Sequence, residues 1–152
     1  MDSKLEELIQ RYTEHYLESY KLSPLQAKIF SYVLIYGRKN DITFDQVIEY
    51  TKACKSSVST SLNCLIQQNK IVFINKPNDR KKYYKVNKLF DLLEQTKNVI
   101  SRELILIDDM IAYFESTAVN QQDKIQVSNI SLFKNYLQQI NTTIENTLTK
   151  IQ

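Results

Sequence analysis

Apolar side chains recur every three or four residues through Leu5, Leu8, Ile9, Tyr12, Tyr16 and Tyr20, the spacing of one face of an α-helix. The first twenty residues therefore predict an amphipathic helix. Ser23-Pro24 then restarts the chain as a second helix, with Ser as N-cap and Pro supplying a pre-set φ at the first helical position. Ala27, Phe30, Val33 and Leu34 form its inner face, and Gly37, the one glycine of the chain, is expected to close it in a left-handed C-cap.

After a short link containing Ile42, Thr43-Phe44-Asp45-Gln46 has the spacing of a capping box and opens a brief helix through Val47, Ile48 and Tyr50. That helix ends near Thr51, and Lys55-Ser56-Ser57 is expected to cap the next one. Two short helices so closely joined predict a helix-turn-helix. In the second of them Val58, Leu62, Leu65 and Ile66 share one side, which leaves Ser56, Ser57, Thr60, Asn63, Cys64 and Gln67 on the other. Residues 71 to 74 are apolar and β-branched and predict a strand; Lys76-Pro77-Asn78-Asp79 is turn chemistry, and residues 82 to 86 return as the partner strand.

Residues 88 to 116 predict one long helix with more apolar residues than a single stripe needs. Beyond a polar break at Asn120-Gln121-Gln122-Asp123, Ile130, Phe133, Leu137, Ile140, Ile144 and Ile151 follow alternating steps of three and four, with Thr147 filling one heptad place. This second stripe fits either packing within the chain or contact with a second copy. The expected organisation is an N-terminal dimerisation helix over 1–22, a winged helix-turn-helix over 23–87 and a C-terminal helical dimerisation region over 88–152.

Composition agrees with a mostly α fold carrying a small β-hairpin. The 152 residues are 43% hydrophobic, enough for a packed core, while one Gly and two Pro leave few tight turns for a sandwich or a barrel. No apolar run approaches a membrane span, and the amphipathic, charged opening is unlike a signal peptide, so the expected location is the cytoplasm. Two Cys and one His, in no zinc-like spacing, predict neither a disulfide framework nor a metal site, and no cofactor is expected.

Charge changes the picture. Residues 52 to 88 hold nine Lys or Arg against a single acid, Asp79, a net charge of +8, whereas the whole chain is only +3. One basic block thus sits in a chain whose remainder sums to −5. Within that block the outer helix face from 56 to 69 carries no charge, unlike a solvated face laced with Glu and Lys pairs. Ser, Thr, Asn and Gln hydrogen-bond base edges and phosphates while allowing a helix to approach a groove floor, and the first helical turn offers N–H groups to a phosphate. The order helix, strand, basic turn, strand predicts a winged reader of duplex DNA.

The candidate contacts are Ser56, Ser57, Thr60, Asn63 and Gln67 in the major groove. Arg80 is placed in the minor groove with Lys81 beside it, and Lys52, Lys55, Lys76, Lys82 and Lys85 on phosphates. The runner-up is an adaptor that keeps the winged fold and turns its basic wing to an acidic protein or RNA.

The stretch from LSPLQAKIFSYVL to NDRKKYYKVN, about 66 residues, resembles the DNA-binding domain of MarR-type bacterial regulators, most nearly the GbsR-like branch. The resemblance rests on Lys55-Ser56-Ser57-Val58-Ser59 and, more specifically, on Asp79-Arg80-Lys81-Lys82-Tyr83-Tyr84. The sequence departs from such domains where they often carry Gly, with Asn69-Lys70 before the first wing strand and Asn78 in the wing; Asn tolerates positive φ. The resemblance implies a homodimer, expected to be a repressor, often under control of a small-molecule effector. Palindromic operators require two subunits independently of any family, and Leu5, Ile9, Tyr12 and Tyr16 with Ile130, Phe133, Leu137, Ile140 and Ile144 are the expected dimerisation residues.

Enzymatic activity is not expected. His15 lies beside the Tyr12/Tyr16 face with no acid arranged as a partner, and a single Gly excludes a phosphate-cradling loop. Cys54 precedes the positive end of the second helix, where its pKa would fall, and Cys64 follows ten residues on; a redox-sensing regulator is the alternative these thiols allow.

Overall fold

The computed structural model describes residues 2–151 in two compact units, the first extending to Asn87 and the second beginning at Lys88. The first unit contains α1 (Ser3–Tyr20), α2 (Pro24–Ile35), a 3-10 turn (Tyr36–Arg38), β1 (Ile42–Thr43), α3 (Phe44–Thr51), α4 (Lys55–Gln67), β2 (Ile71–Asn75) and β3 (Lys82–Val86). The second contains α5 (Leu89–Thr117) and α6 (Gln121–Leu148). The fold is mostly helical with a small antiparallel sheet, the winged helix-turn-helix plan that the periodicity predicts.

Local chemistry starts the helices where the sequence says it should. Ser23 accepts from the Gln26 N–H while the Gln26 side chain reaches back to Ser23, and Pro24 occupies the first turn. Thr43 and Gln46 form the same reciprocal pair at α3; Asn120 and Asp123 form it at α6, whose first turn lies within the stretch expected to be a polar break. Each such box satisfies two donors that a helix end otherwise leaves to water. The start of α4 differs from expectation: its N-cap is Cys54, and Lys55 is already helical.

Two further corrections concern the link between α2 and α3. Gly37 is not a left-handed cap, since α2 ends in right-handed geometry at Tyr36 and no glycine has positive φ. Its value is its missing side chain, because a Cβ there would lie 3.1 Å from Ile42 Cδ1. The link also holds a strand, β1, that is too short for any alternation to reveal. It pairs with β3 through Ile42 and Tyr84, and Thr43 and Tyr83, giving the sheet order β1-β3-β2.

Left-handed backbone falls at Lys21 and Lys52, which end α1 and α3, and at Asn69 and Asn78 around the hairpin. The two asparagines stand at the places singled out for positive φ, and their φ values of 56° and 61° follow the local tolerance of Asn for this region.

The core of the first unit gathers Ile9 from α1, Ile29 and Val33 from α2, Val47 from α3, Leu62 and Leu65 from α4 and Ile71 from β2, all fully buried. Each contributes about 1.5–3 kcal/mol by leaving water. Ile9 is buried in the core of its own chain, and Leu5 and Tyr16 pack partly against the same core.

In the second unit α5 and α6 lie antiparallel, as the ion pairs Lys97–Glu145 and Lys134–Asp108 record. Ile100 and Ile107 of α5 bury Leu137 and Ile144 of α6, with Ile130 and Ile140 partly covered beside them. These four α6 residues pack within the chain, and Phe133 remains exposed.

Candidate nucleic-acid interface

The inner side of α4 is fixed by Val58, Leu62 and Leu65, none more than 1% exposed. At about 100° per residue that anchoring turns Ser56, Thr60, Asn63 and Gln67 to solvent, and all four are exposed. Ser59 shares this face and is exposed, although it was not among the polar residues assigned there from periodicity; the same helical wheel contains the signal that finds it. The Thr60 hydroxyl donates to the Ser56 carbonyl at 3.0 Å, which leaves its lone pairs outward.

Ser57 lies to one side of this row. Its hydroxyl sits 3.0 Å from Cys54 Sγ, and that of Ser56 sits 3.3 Å from the same sulfur. Hydrogen bonds from Ser56 first and Ser57 second hold the thiol at a pKa of about 7, and Cys54 is exposed at the helix start. Cys64, one helical side away, is half-buried and accepts from Gln68 Nε2 at 3.4 Å.

The basic block does not present one uniform surface. Strand parity separates the hairpin lysines: Tyr84 faces the core, so Tyr83 and Lys85 face outward, and the β2 register brings Lys76 to that outward side. Lys76 and Lys85 both pair there with Asp41, Lys85 at 3.4 Å, and Lys76 also lies 4.5 Å from the centre of the Tyr83 ring. Lys82 goes to the opposite side, 4.5 Å over the Phe73 ring. Lys70 lies over Tyr20 and Phe30.

Among the described residues Lys52, Lys55 and Arg80 have neither ion pair nor ring contact, and all are exposed. Lys52 and Lys55 flank the start of α4; Arg80 and Lys81 stand at the hairpin tip. Asp41 is the residue that sequence reasoning missed. An acid 35 positions before Lys76 in a short link gives no local sign of the contact.

Lys76 draws the Asp41 carboxyl below its ordinary range, Lys85 adding to the effect, and Asp41 in turn raises the Lys76 amine. At the tip, the Tyr83 hydroxyl and then the Lys81 N–H lower Asp79, while Asp79 raises Tyr83. The arrangement offers an uncharged helix face, unpaired cations at its N-terminal end, and a hairpin whose turn is held by its own acid. Among the described residues no group of His, Cys, Asp and Glu is placed to hold a metal ion, and no helix is long and apolar enough to cross a membrane.

No family model matches the chain, and no curated protein matches it. Solved structures do. A transcriptional regulator of 15% sequence identity superposes with a TM-score of 0.65 over 97% of both chains. Two others match with lower scores. A mutant of Staphylococcus aureus MepR bound to an oligodeoxyribonucleotide shares 14% identity over 88% of this chain and 93% of its own, with a TM-score of 0.44. The apo form of MarR from E. coli shares 16% over 56% and 62%, with a TM-score of 0.42. The first of these establishes that the fold is shared, nearly end to end, with a transcriptional regulator.

Proposed function

We propose that the chain is a sequence-specific, double-stranded DNA-binding regulator of transcription that acts as a homodimer on a pseudo-palindromic operator. The observation that carries this reading is the outer face of α4, exposed from Ser56 to Gln67, uncharged, and flanked by the unpaired cations Lys52 and Lys55. A helix so dressed enters a major groove without electrostatic cost and meets base edges with hydroxyl and amide groups. Arg80 and Lys81 at the hairpin tip then reach the flanking minor groove and phosphates. The fold shared with a solved transcriptional regulator supports the same reading.

Homodimerisation follows from symmetry, since two winged units are needed to read two half-sites about one helical turn apart. Exposed apolar side chains on the second unit, among them Leu106 at 65% and Leu132 at 64%, support a covering partner of the same kind. Repression, control by a small-molecule effector and the GbsR-like affinity are carried over from the sequence resemblance.

The test is selection of duplex fragments by the purified protein, followed by titration of selected and random duplex at two salt concentrations. Tight binding of a recurrent inverted repeat is expected, with random duplex bound more weakly and lost more steeply in salt. Equal affinity for both sequences at each salt would reject sequence-specific regulation.

A further inference from the structure

Asp41 stands where the β1–β3 register, continued one step beyond Ile42 and Tyr84, sets it opposite Lys85. Its Oδ1 lies 3.4 Å from Lys85 Nζ and its Oδ2 takes Lys76. Both lysines belong to the basic block, and both were expected on phosphates. The carboxylate thus holds two ammonium groups in the manner a DNA phosphate would, from the residue that immediately precedes β1. Tyr83 closes the cluster from beneath, its ring 4.5 Å from Lys76 Nζ.

We infer that Asp41 is an affinity-limiting residue of the DNA-binding surface, which withholds Lys76 and Lys85 from backbone phosphates and so lowers sequence-independent affinity. The inference rests on the DNA-binding reading above. Its physical basis is charge: Asp41 with its two lysines presents a net +1 along the outer wing face, where the lysines alone would present +2. A phosphate approaching that face meets ammonium groups that are already paired and a carboxylate that repels it. Contacts with phosphate carry no sequence information, so removing two of them lowers random binding more than it lowers the ratio of specific to random binding. Discrimination is left to the uncharged face of α4 and to Arg80 at the tip.

The test compares the full-length protein with Asp41→Asn, with Lys76→Gln/Lys85→Gln, and with the triple variant, on random and on selected duplex across a salt series. Asp41→Asn is expected to bind random duplex more tightly and to steepen the salt slope by about one unit for each lysine released. The lysine pair replaced alone is expected to leave the wild-type slope nearly unchanged, and the triple variant to return to it. Asp41 is half-buried at the surface and outside the apolar core, so thermal midpoints close to wild type are expected; Asp41→Ala supplies a second replacement should the amide form new bonds.

Competitive acetylation of the lysines reads the contact without DNA, and Lys76 is expected to react faster in Asp41→Asn than in wild type. If wild type binds DNA and Asp41→Asn keeps its slope, the inference is overturned while the DNA-binding reading stands. The same holds if replacing the two lysines alone flattens the slope. If wild type binds no duplex at all, the DNA-binding reading fails and takes this inference with it, whatever the acetylation shows.

Discussion

The Tyr83 hydroxyl donates to Asp79 Oδ2 at 2.5 Å, joining the end of the wing turn to the strand that leaves it. Oδ1 of the same carboxylate accepts the Lys81 N–H at 2.9 Å, so one acid organises both sides of the segment that carries Arg80. These bonds, Tyr83 first, hold the Asp79 carboxyl below its ordinary range. A lowered pKa means that the ionised form is favoured by the fold, so order in the turn is present above the ordinary carboxylate pKa and is lost as pH falls through the folded value. Following the Lys81 amide by NMR should give a midpoint below that of an unstructured Asp, and Tyr83→Phe should raise it. A midpoint equal to that of a free peptide would show an unbound carboxylate.

Arg80→Ala should weaken operator binding by about 1–3 kcal/mol without moving the thermal transition, because Arg80 lies outside both cores. Equilibrium titration beside a melting curve measures both quantities. Unchanged affinity would take Arg80 out of the interface.

Asn63 and Thr60 occupy the middle of the exposed α4 face, and their alanine variants should retain random binding while losing preference for a selected site. The ratio of the two affinities is the readout. A ratio preserved in both variants would move sequence reading to the wing or to DNA shape.

Cys54 should alkylate with a half-maximal rate near pH 7, the value set by its contacts with Ser56 and Ser57. Ser57→Ala should shift that midpoint upward, toward an ordinary thiol. Modification adds bulk at the first turn of α4, so duplex binding should fall in proportion to the modified fraction. Full binding after complete alkylation would place Cys54 off the DNA-facing surface.

Leu137 and Tyr136 adjoin in sequence and face different surroundings. Leu137 is 9% exposed against Ile100 and Ile107, whereas Tyr136 is 55% exposed. Leu137→Asp buries a carboxylate inside the α5–α6 pair and should cost several kcal/mol, unfolding the second unit before any question of association arises. Leu132→Asp and Tyr136→Asp should keep that unit folded and dissociate the proposed dimer. Sedimentation with circular dichroism separates the cases: folded, still dimeric Leu132 and Tyr136 variants would assign the dimer contact to another face.

What the sequence determined by itself are the features made by residues close together along the chain. Ser23 with Gln26, Thr43 with Gln46 and Asn120 with Asp123 start helices because their bonds span three positions, and Asn69 and Asn78 adopt positive φ because of their own side chains. The uncharged face of α4 was equally legible, since 3.6-residue periodicity fixes which side chains share a side. Tertiary structure alone decided what those faces meet. Periodicity marked Ile130, Leu137 and Ile144 as a stripe to be covered but not by which helix, and α5 of the same chain covers them. The same limit hid the strand at Ile42 and Thr43, the close approach of Gly37 to Ile42, and the pairing of Asp41 with Lys76 and Lys85. A two-residue strand has no readable alternation, and a contact across 35 positions depends on sheet register, which exists only after the chain has folded.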